Sequence, residues 1–146
     1  MNDCVTVQSQ SANLKKIREF TRNFLSTDTL TLPLEEREEL VLAIDEACQN
    51  IIRHAYLDLR EGKIQICLQH HTPVFKVHIF DQGHPVDVAK IKPRALDEIK
   101  IGGLGTHFMN TIMDRVEFIK AENPWTNHLV MTKEITTRKK AVYKDL

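Results

Sequence analysis

The chain has 146 residues and carries 20 Lys plus Arg against 20 Asp plus Glu, so its formal net charge is zero with the histidines neutral. That length suits one ordinary domain and excludes two full catalytic ones, and 42% hydrophobic with 27% charged residues is a globular balance. The charge balance excludes a global electrostatic drive toward nucleic acid or an anionic membrane, and no apolar run approaches the roughly 18 residues of a membrane span. Cys4, Cys48 and Cys67 show no metal-ligand spacing, and Cys48 and Cys67 sit in apolar patterns that read as buried free thiols. With no basic-then-apolar leader at the N-terminus, these thiols point to a cytoplasmic protein.

In chain order, residues 4–7 are a candidate first strand. Residues 13–25 read as a helix, with Leu14, Ile17, Phe24 and Leu25 on one stripe and Lys15, Arg18 and Arg22 away from it. Residues 29–32 are a short strand candidate ended by Pro33. The strongest helix spans about 34–57: Pro33 and then Glu35, Glu36, Glu38 and Glu39 suit a helix N-terminus. Ile44, Ala47, Cys48, Ile51 and Ala55 form its apolar face, and Ala43, Glu46, Asn50, Arg53 and His54 fall opposite. Strands at 63–68 and 74–80, joined by a turn through His70, His71, Thr72 and Pro73, predict a hairpin. Residues 81–101 form a long excursion of the kind that makes lids and binding loops. Gly102, Gly103 and Gly105 open a helix over 104–114, and strands follow near 116–120 and 129–135. Clustered helices and strands, without strict alternation, favour an α+β fold: a two-layer α/β sandwich whose mixed, mainly antiparallel sheet carries three main helices on one face. Residues 1–137 form this domain, and 138–146, with Arg138, Lys139 and Lys140, read as a basic, solvated C-terminal tail.

Three pieces carry chemistry. Glu46 and Asn50 lie one helical turn apart, so a carboxylate and an amide can meet one ligand: the amide oxygen can coordinate Mg²⁺ and the carboxylate can orient or deprotonate a nucleophile. An ordinary solvated polar face is the other reading of that pair. Asp81, Gln82 and Gly83 end a strongly apolar strand, where an acceptor carboxylate could take a hydrogen bond from an exocyclic amine and the glycine could let the backbone turn close to a ring; a simple strand-ending turn uses the same residues. Gly102, Gly103, Leu104 and Gly105 enter a helix and could cradle phosphates with backbone N–H groups, or be a loop-to-helix junction. Neither a Walker A loop nor a Rossmann fingerprint is present. Taken together, the order of polar helix face, strand-end aspartate, excursion and glycine-led helix supplies the parts of one nucleotide site.

These stretches resemble the GHKL ATPase superfamily of gyrase, Hsp90, histidine kinases and MutL, and look most like its anti-sigma factor serine/threonine kinases of the RsbW type. LVLAIDEACQNIIRHAY, residues 40–56, is similar to the N-box helix, VFKVHIFDQG to the G1 box, and IGGLGTHFMNTIMDRVEF, with Asp114, to the G2 box and its following helix. The resemblance implies the Bergerat type of ATPase fold, ATP and Mg²⁺ as ligands, Glu46 as the general base, and Asn50 as the metal ligand. It also implies Asp81 on the adenine amine, Gly83 shaping the adenine pocket, and Gly102, Gly103, Leu104, Gly105 and Thr106 at the phosphates. His54 matches a position near the phosphates, and a packed helix residue is the equal alternative. Two departures stand out. His84-Pro85 occupies the place where a second glycine is common, and Thr126-Asn127 stands where a Gly-Thr pair is common, with the Asn127 amide able to replace the hydroxyl.

The implied function is phosphorylation of an anti-anti-sigma protein of the STAS fold, with inhibition of a sigma factor bound by a homodimer; Arg18 and Arg22 are candidate partner contacts. A histidine kinase would require a preceding dimerisation helix pair with a phosphoacceptor histidine, and no histidine precedes the long helix. A gyrase-like ATPase would require a transducer domain. The alternative of another class is a non-catalytic ATP-binding module that sequesters a regulatory protein.

Overall fold

The computed structural model describes residues 2–27, 32–55, 62–86 and 105–135, with only the backbone of 105–108. The expected strand at 29–32, apart from Leu32, which is not in a strand, lies outside the described residues, as do Gly102, Gly103 and Leu104, expected at the phosphates, the excursion after Val86, and the basic tail.

Five strands form one sheet in the order β1 (Asn2–Gln8), β2 (Lys63–His71), β3 (Val74–Asp81), β5 (Asn127–Glu134) and β4 (Arg115–Ile119). Each neighbouring pair is antiparallel, so among the described residues the sheet is antiparallel throughout and not mixed. The β2–β3 hairpin turns at Thr72 and Pro73, while His70 and His71 remain in the strand opposite Phe75 and Val74. Alternation sets the two faces. Ile64, Ile66, Leu68, Phe75, Val77, Ile79, Leu129 and Met131 point into the core, and the other face of β3 and β5 carries His78, Phe80 and His128. Those rings stack, with Phe80 and His128 centroids 4.1 Å apart, and His78 Nδ1 lies 2.9 Å from His128 Nε2.

Helices α1 (Leu14–Leu25) and α2 (Leu34–Asn50) pack on the core face, together with α3 (Gly105–Ile112). A short 3-10 turn at Ser11–Asn13 leads into α1, whose buried residues are Ile17, Thr21, Phe24 and Leu25. Thr21 fits that apolar stripe because its hydroxyl donates to the Ile17 carbonyl, 2.8 Å away.

The two-sided reading of α2 needs correction. Ala43, assigned to the polar side, is as fully buried as Ile44, and Asp45 is buried too. With α1 against one flank, α3 against another and the sheet below, α2 is enclosed on more sides than a surface helix. Its enclosed acid is neutralised locally: Arg18 Nη1 meets Asp45 Oδ1 at 2.9 Å, and Gln49 Nε2 donates to Asp45 Oδ2 at 2.7 Å. Arg22 grips Glu38 through Nε and Nη2, at 2.9–3.2 Å, and holds that carboxyl below its ordinary range. Arg18 and Arg22, expected as partner contacts, are thus both engaged in ion pairs that clamp α1 to α2.

The cysteines also differ from expectation. Cys4 and Cys67 face each other across β1 and β2 and form a disulfide, so Cys67 is not a free thiol. Cys48 remains free and buried, and burial pushes its thiol well above its ordinary value. No helix among the described residues is long and apolar enough to cross a membrane.

The two clamps should differ in worth. Arg18→Met leaves the buried Asp45 short of a cation and is expected to cost about 1–3 kcal/mol in urea unfolding. Arg22→Met breaks a half-exposed pair and is expected to cost less than about 1 kcal/mol. Equal losses in the two variants would contradict this account.

Candidate functional site

The inward alternation of β3 runs Phe75, Val77, Ile79 and then Asp81, so a carboxylate occupies the last core-facing position of an otherwise apolar strand. The β3–β5 register sets Asp81 directly opposite Asn127, which is also buried. Asp81 Oδ1 accepts from the Gly83 amide and from Asn127 Nδ2, each at 2.9 Å. Burial pushes the Asp81 carboxyl upward, and these two donors, Asn127 first, pull it back. The same Asn127 Nδ2 donates to the His84 carbonyl at 2.8 Å, and its Oδ1 accepts from the Val86 amide at 2.8 Å. A single side chain therefore ties the strand end to the 83–86 segment.

Across from this strand end, α2 widens into a π-helical turn at Ile51–Ala55, the kind of local expansion that recurs at functional sites. The Ala55 carbonyl accepts from the His84 amide at 2.7 Å. Gly83 packs so closely there that an added Cβ would fall 2.6 Å from the Ala55 Cβ and collide with the Ala55 carbonyl oxygen. Here the glycine serves close approach between backbones.

Between these elements lies a cavity of about 260 Å³. Asn50 and His54 contribute from α2 and its π turn, Asp81 and Asn127 from the sheet, and His84, Pro85 and Val86 from the segment after β3. Apolar walls come from Ala47, Ile51, Ala55, Met109, Val116, Phe118 and Leu129, with Asn110 beside them. Among the described residues Asn50 Nδ2 meets only the Met109 sulfur, at 4.0 Å, and its amide oxygen accepts no hydrogen bond. His54 Nε2 is buried without a partner among the described residues.

Glu46 sits one turn before Asn50 and is not a wall of that cavity. Its Oε2 is buried without a hydrogen-bond partner among the described residues, and burial, with the charge of Asp45 adding, pushes the carboxyl to about 7. An ordinary solvated face would satisfy that oxygen with water, so Glu46 does not fit that reading. Gly105 and Thr106 are the first residues of α3, which packs against α2.

The sequence-predicted Asn50, His54, Asp81 and Asn127 are thus brought to one cavity, with Gly83 supporting it and Glu46 a turn away. The sequence reading missed the apolar walls. Strand alternation at Val116, Phe118 and Leu129 marks them as inward, but nothing local marks which inward residues border a cavity.

A family model of the histidine kinase-like ATPase domain matches residues 7–133. The chain belongs to that family. It is similar to proteins named serine-protein kinase RsbW: 30% identical over 91 residues to that of Bacillus velezensis, covering 57% of this chain and 57% of the relative. The corresponding figures are 30% over 90 residues for Bacillus subtilis, covering 56% of each, and 29% over 109 residues for Oceanobacillus iheyensis, covering 69% of this chain and 67% of the relative. The match thus spans little more than half the length of the two Bacillus relatives. The antiparallel sheet with helices on one face agrees with this histidine kinase-like family.

Two measurements bear on this site. Gly83→Ala is expected to destabilise by about 1–3 kcal/mol, because backbone must move to admit the methyl group; a neutral substitution in denaturant unfolding would refute the close approach to Ala55. Glu46 titrates at about 7 in the folded state against an ordinary 4.5, so the folded state binds this proton more tightly than the unfolded one. Its stabilising contribution is complete below the unfolded value and is lost as the pH rises through about 7. Glu46→Gln should therefore gain in melting temperature relative to wild type between about pH 4 and pH 8, and a constant difference across that window would argue against a raised Glu46.

Proposed function

We propose that this chain is an ATP-dependent serine/threonine protein kinase that phosphorylates an anti-anti-sigma protein of the STAS fold and binds and inhibits a sigma factor. The observation that carries the reading is the pairing of a cavity edged by Asn50 and Asp81 with a half-buried Glu46 carboxylate one turn from Asn50, whose Oε2 has no hydrogen-bond partner among the described residues. Membership of the histidine kinase-like ATPase family and similarity to proteins named serine-protein kinase support it.

The residues present fit ATP with Mg²⁺. Asn50 offers an amide oxygen that no donor among the described residues occupies, and the cavity couples apolar walls to the Asp81 acceptor at one end. When bound, ATP supplies the γ-phosphoryl group and Mg²⁺ neutralises its charge. Asp81 would receive the adenine amine while Gly83 keeps the neighbouring backbone close. Asn50 would hold the metal, and His54 and Asn127 would border the nucleotide. The backbone N–H groups of 102–106 would bind phosphate oxygens. Glu46, raised into the neutral range by burial, would take the proton from the attacking serine or threonine hydroxyl; a base poised near the working pH suits that transfer. The protein would act as a homodimer, with no direct contact to nucleic acid.

A non-catalytic module that holds ATP and sequesters a regulatory protein is the second reading. It is favoured by the way Asn127 spends both amide protons inside the protein, where a ligand contact was expected.

The deciding experiment mixes the purified protein with Mg-ATP and each STAS-domain protein of the same organism and reads intact mass. The kinase reading expects one added phosphate on one STAS protein. It also expects transfer to fall by about 10²-fold or more in Glu46→Gln and in Asn50→Ala. ATP binding without phosphate on any candidate would favour the sequestering module.

A further inference from the structure

Cys4 and Cys67 are bonded across β1 and β2, yet they differ in access. Cys4 lies exposed on the edge strand, while Cys67 is half-buried on β2, between Cys4 and His78 of β3. A disulfide is broken when a thiolate attacks one of its sulfurs, so the exposed sulfur is open to attack and the inner one is the leaving group. Exposed disulfides exchange with small thiols, whereas enclosed ones resist them. Cys48 is the contrast: it is wholly buried and burial pushes its thiol well above the ordinary value, so it stays inert while the chain is folded.

What the bond holds is the N-terminal half of β1. Of Asn2–Gln8 only Val7 is buried, with Val5 partly packed against the core. The C-terminal half has further ties. Gln65 Nε2 donates to Thr6 Oγ1 at 3.1 Å, the Ser9 amide to the Gly62 carbonyl at 2.9 Å, and Asn13 Nδ2 to the Gln8 carbonyl at 2.9 Å. Among the described residues, 2–5 is held by its ladder with 66–69, by Val5 and by the disulfide, and the Cys4 amide turns to Asp3 Oδ1, 3.1 Å away. An edge segment with so little burial opens locally at small cost, and the covalent bond forbids that opening. Once the bond is cut, 2–5 can leave while the rest of the sheet stays paired, and the edge of β2 behind it is bared.

We propose that Cys4 and Cys67 form an exchange site for low-molecular-weight thiols, a redox latch that holds residues 2–5 on β2 when oxidised and frees them when reduced. The thiolate of one small thiol attacks Cys4 Sγ, the bond to Cys67 breaks, and Cys67 leaves with the electron pair and takes a proton from water. A second small thiolate attacks the first thiol's sulfur in the mixed disulfide, and Cys4 leaves in the same way. Two small thiols are thereby oxidised to their disulfide and the protein disulfide is reduced to two thiols. The reverse sequence, with the small disulfide as oxidant, closes the latch. None of this depends on what the cavity holds.

The test equilibrates the full chain in glutathione buffers running from mostly reduced to mostly oxidised. Thiols are trapped by alkylation and read by intact mass, and amide hydrogen exchange is followed in the same samples. The pair is expected to interconvert reversibly, with Cys4 and Cys67 alkylated in reducing buffer, neither alkylated in oxidising buffer, and Cys48 unlabelled in both. In the reduced form the amides of 2–5, and those of β2 that face them, should exchange at least about tenfold faster, with β3 and β5 unchanged. Cys4→Ser should show that fast exchange in every buffer. A disulfide that stays intact in reducing glutathione, or thiols that glutathione disulfide fails to join, would make the pair a fixed structural feature and overturn the inference. Reversible exchange with unaltered amide protection at 2–5 would overturn the latch. Labelling of Cys48 on reduction would show that the whole domain unfolds, and would overturn it too.

Discussion

The pairing of β3 with β5 is the constraint on which the site depends. These strands are separated by the whole segment from Gln82 to Thr126, so their register is set by packing and not by a tight turn. Val77 opposite Met131 and Ile79 opposite Leu129 fill the core, while His78, Phe80 and His128 stack on the other face. A slip of one residue would turn one of the two strands over, either sending Asp81 outward or bringing His128 into the apolar layer. The same alternation that excludes the slip delivers Asp81 and Asn127 to one point at the end of the sheet. The hydrogen bonds at that point are thus a consequence of core packing further along the strands.

Helix α2 carries the other half of the arrangement, and its two adjacent acids show how environment divides labour. Asp45 is buried but receives Arg18 from α1 and Gln49 from its own helix. Glu46, the next residue, receives neither and has Asp45 beside it, so its charge is disfavoured. One carboxylate is satisfied and holds helices together; the other keeps an oxygen with no hydrogen-bond partner among the described residues. A chain optimised for stability alone would pair both, and an unpaired buried polar group is the kind of local violation that proteins keep where chemistry is done.

Much of this was legible in the sequence because it is local. Strand alternation located β2, β3 and β5, the amphipathic stripe located α1, and the run of glutamates after Pro33 located the start of α2. Asp81 was legible as a polar residue closing an apolar strand. The features that were not legible are set by distant neighbours. Ala43 lies on the nominally polar side of α2 and is buried because α2 is flanked on both sides. Cys67 looked like any half-apolar strand thiol until β1 placed Cys4 across from it. Arg18 and Arg22 had the appearance of free cations on an amphipathic helix; only the angle between α1 and α2 gives them Asp45 and Glu38. The π turn at Ile51–Ala55 has no signature in composition, yet it is the element that offers the Ala55 carbonyl to His84.

The two departures from the common superfamily pattern, His84-Pro85 after the strand-end glycine and Asn127 in the last strand, look independent along the chain. In space they are one feature. The Asn127 amide donates to the His84 carbonyl and accepts from the Val86 amide, so it brackets Pro85 from both sides. A hydroxyl has a single proton and could not serve Asp81 and the His84 carbonyl together. Glycine after the strand end would leave the 83–86 segment free to sample many backbone states, whereas Pro85 restricts it and the amide fixes what remains. Each substitution is more useful with the other present: the stiffer segment gives Asn127 acceptors and donors at fixed places, and the longer, two-donor side chain gives the segment a point of attachment beside Asp81.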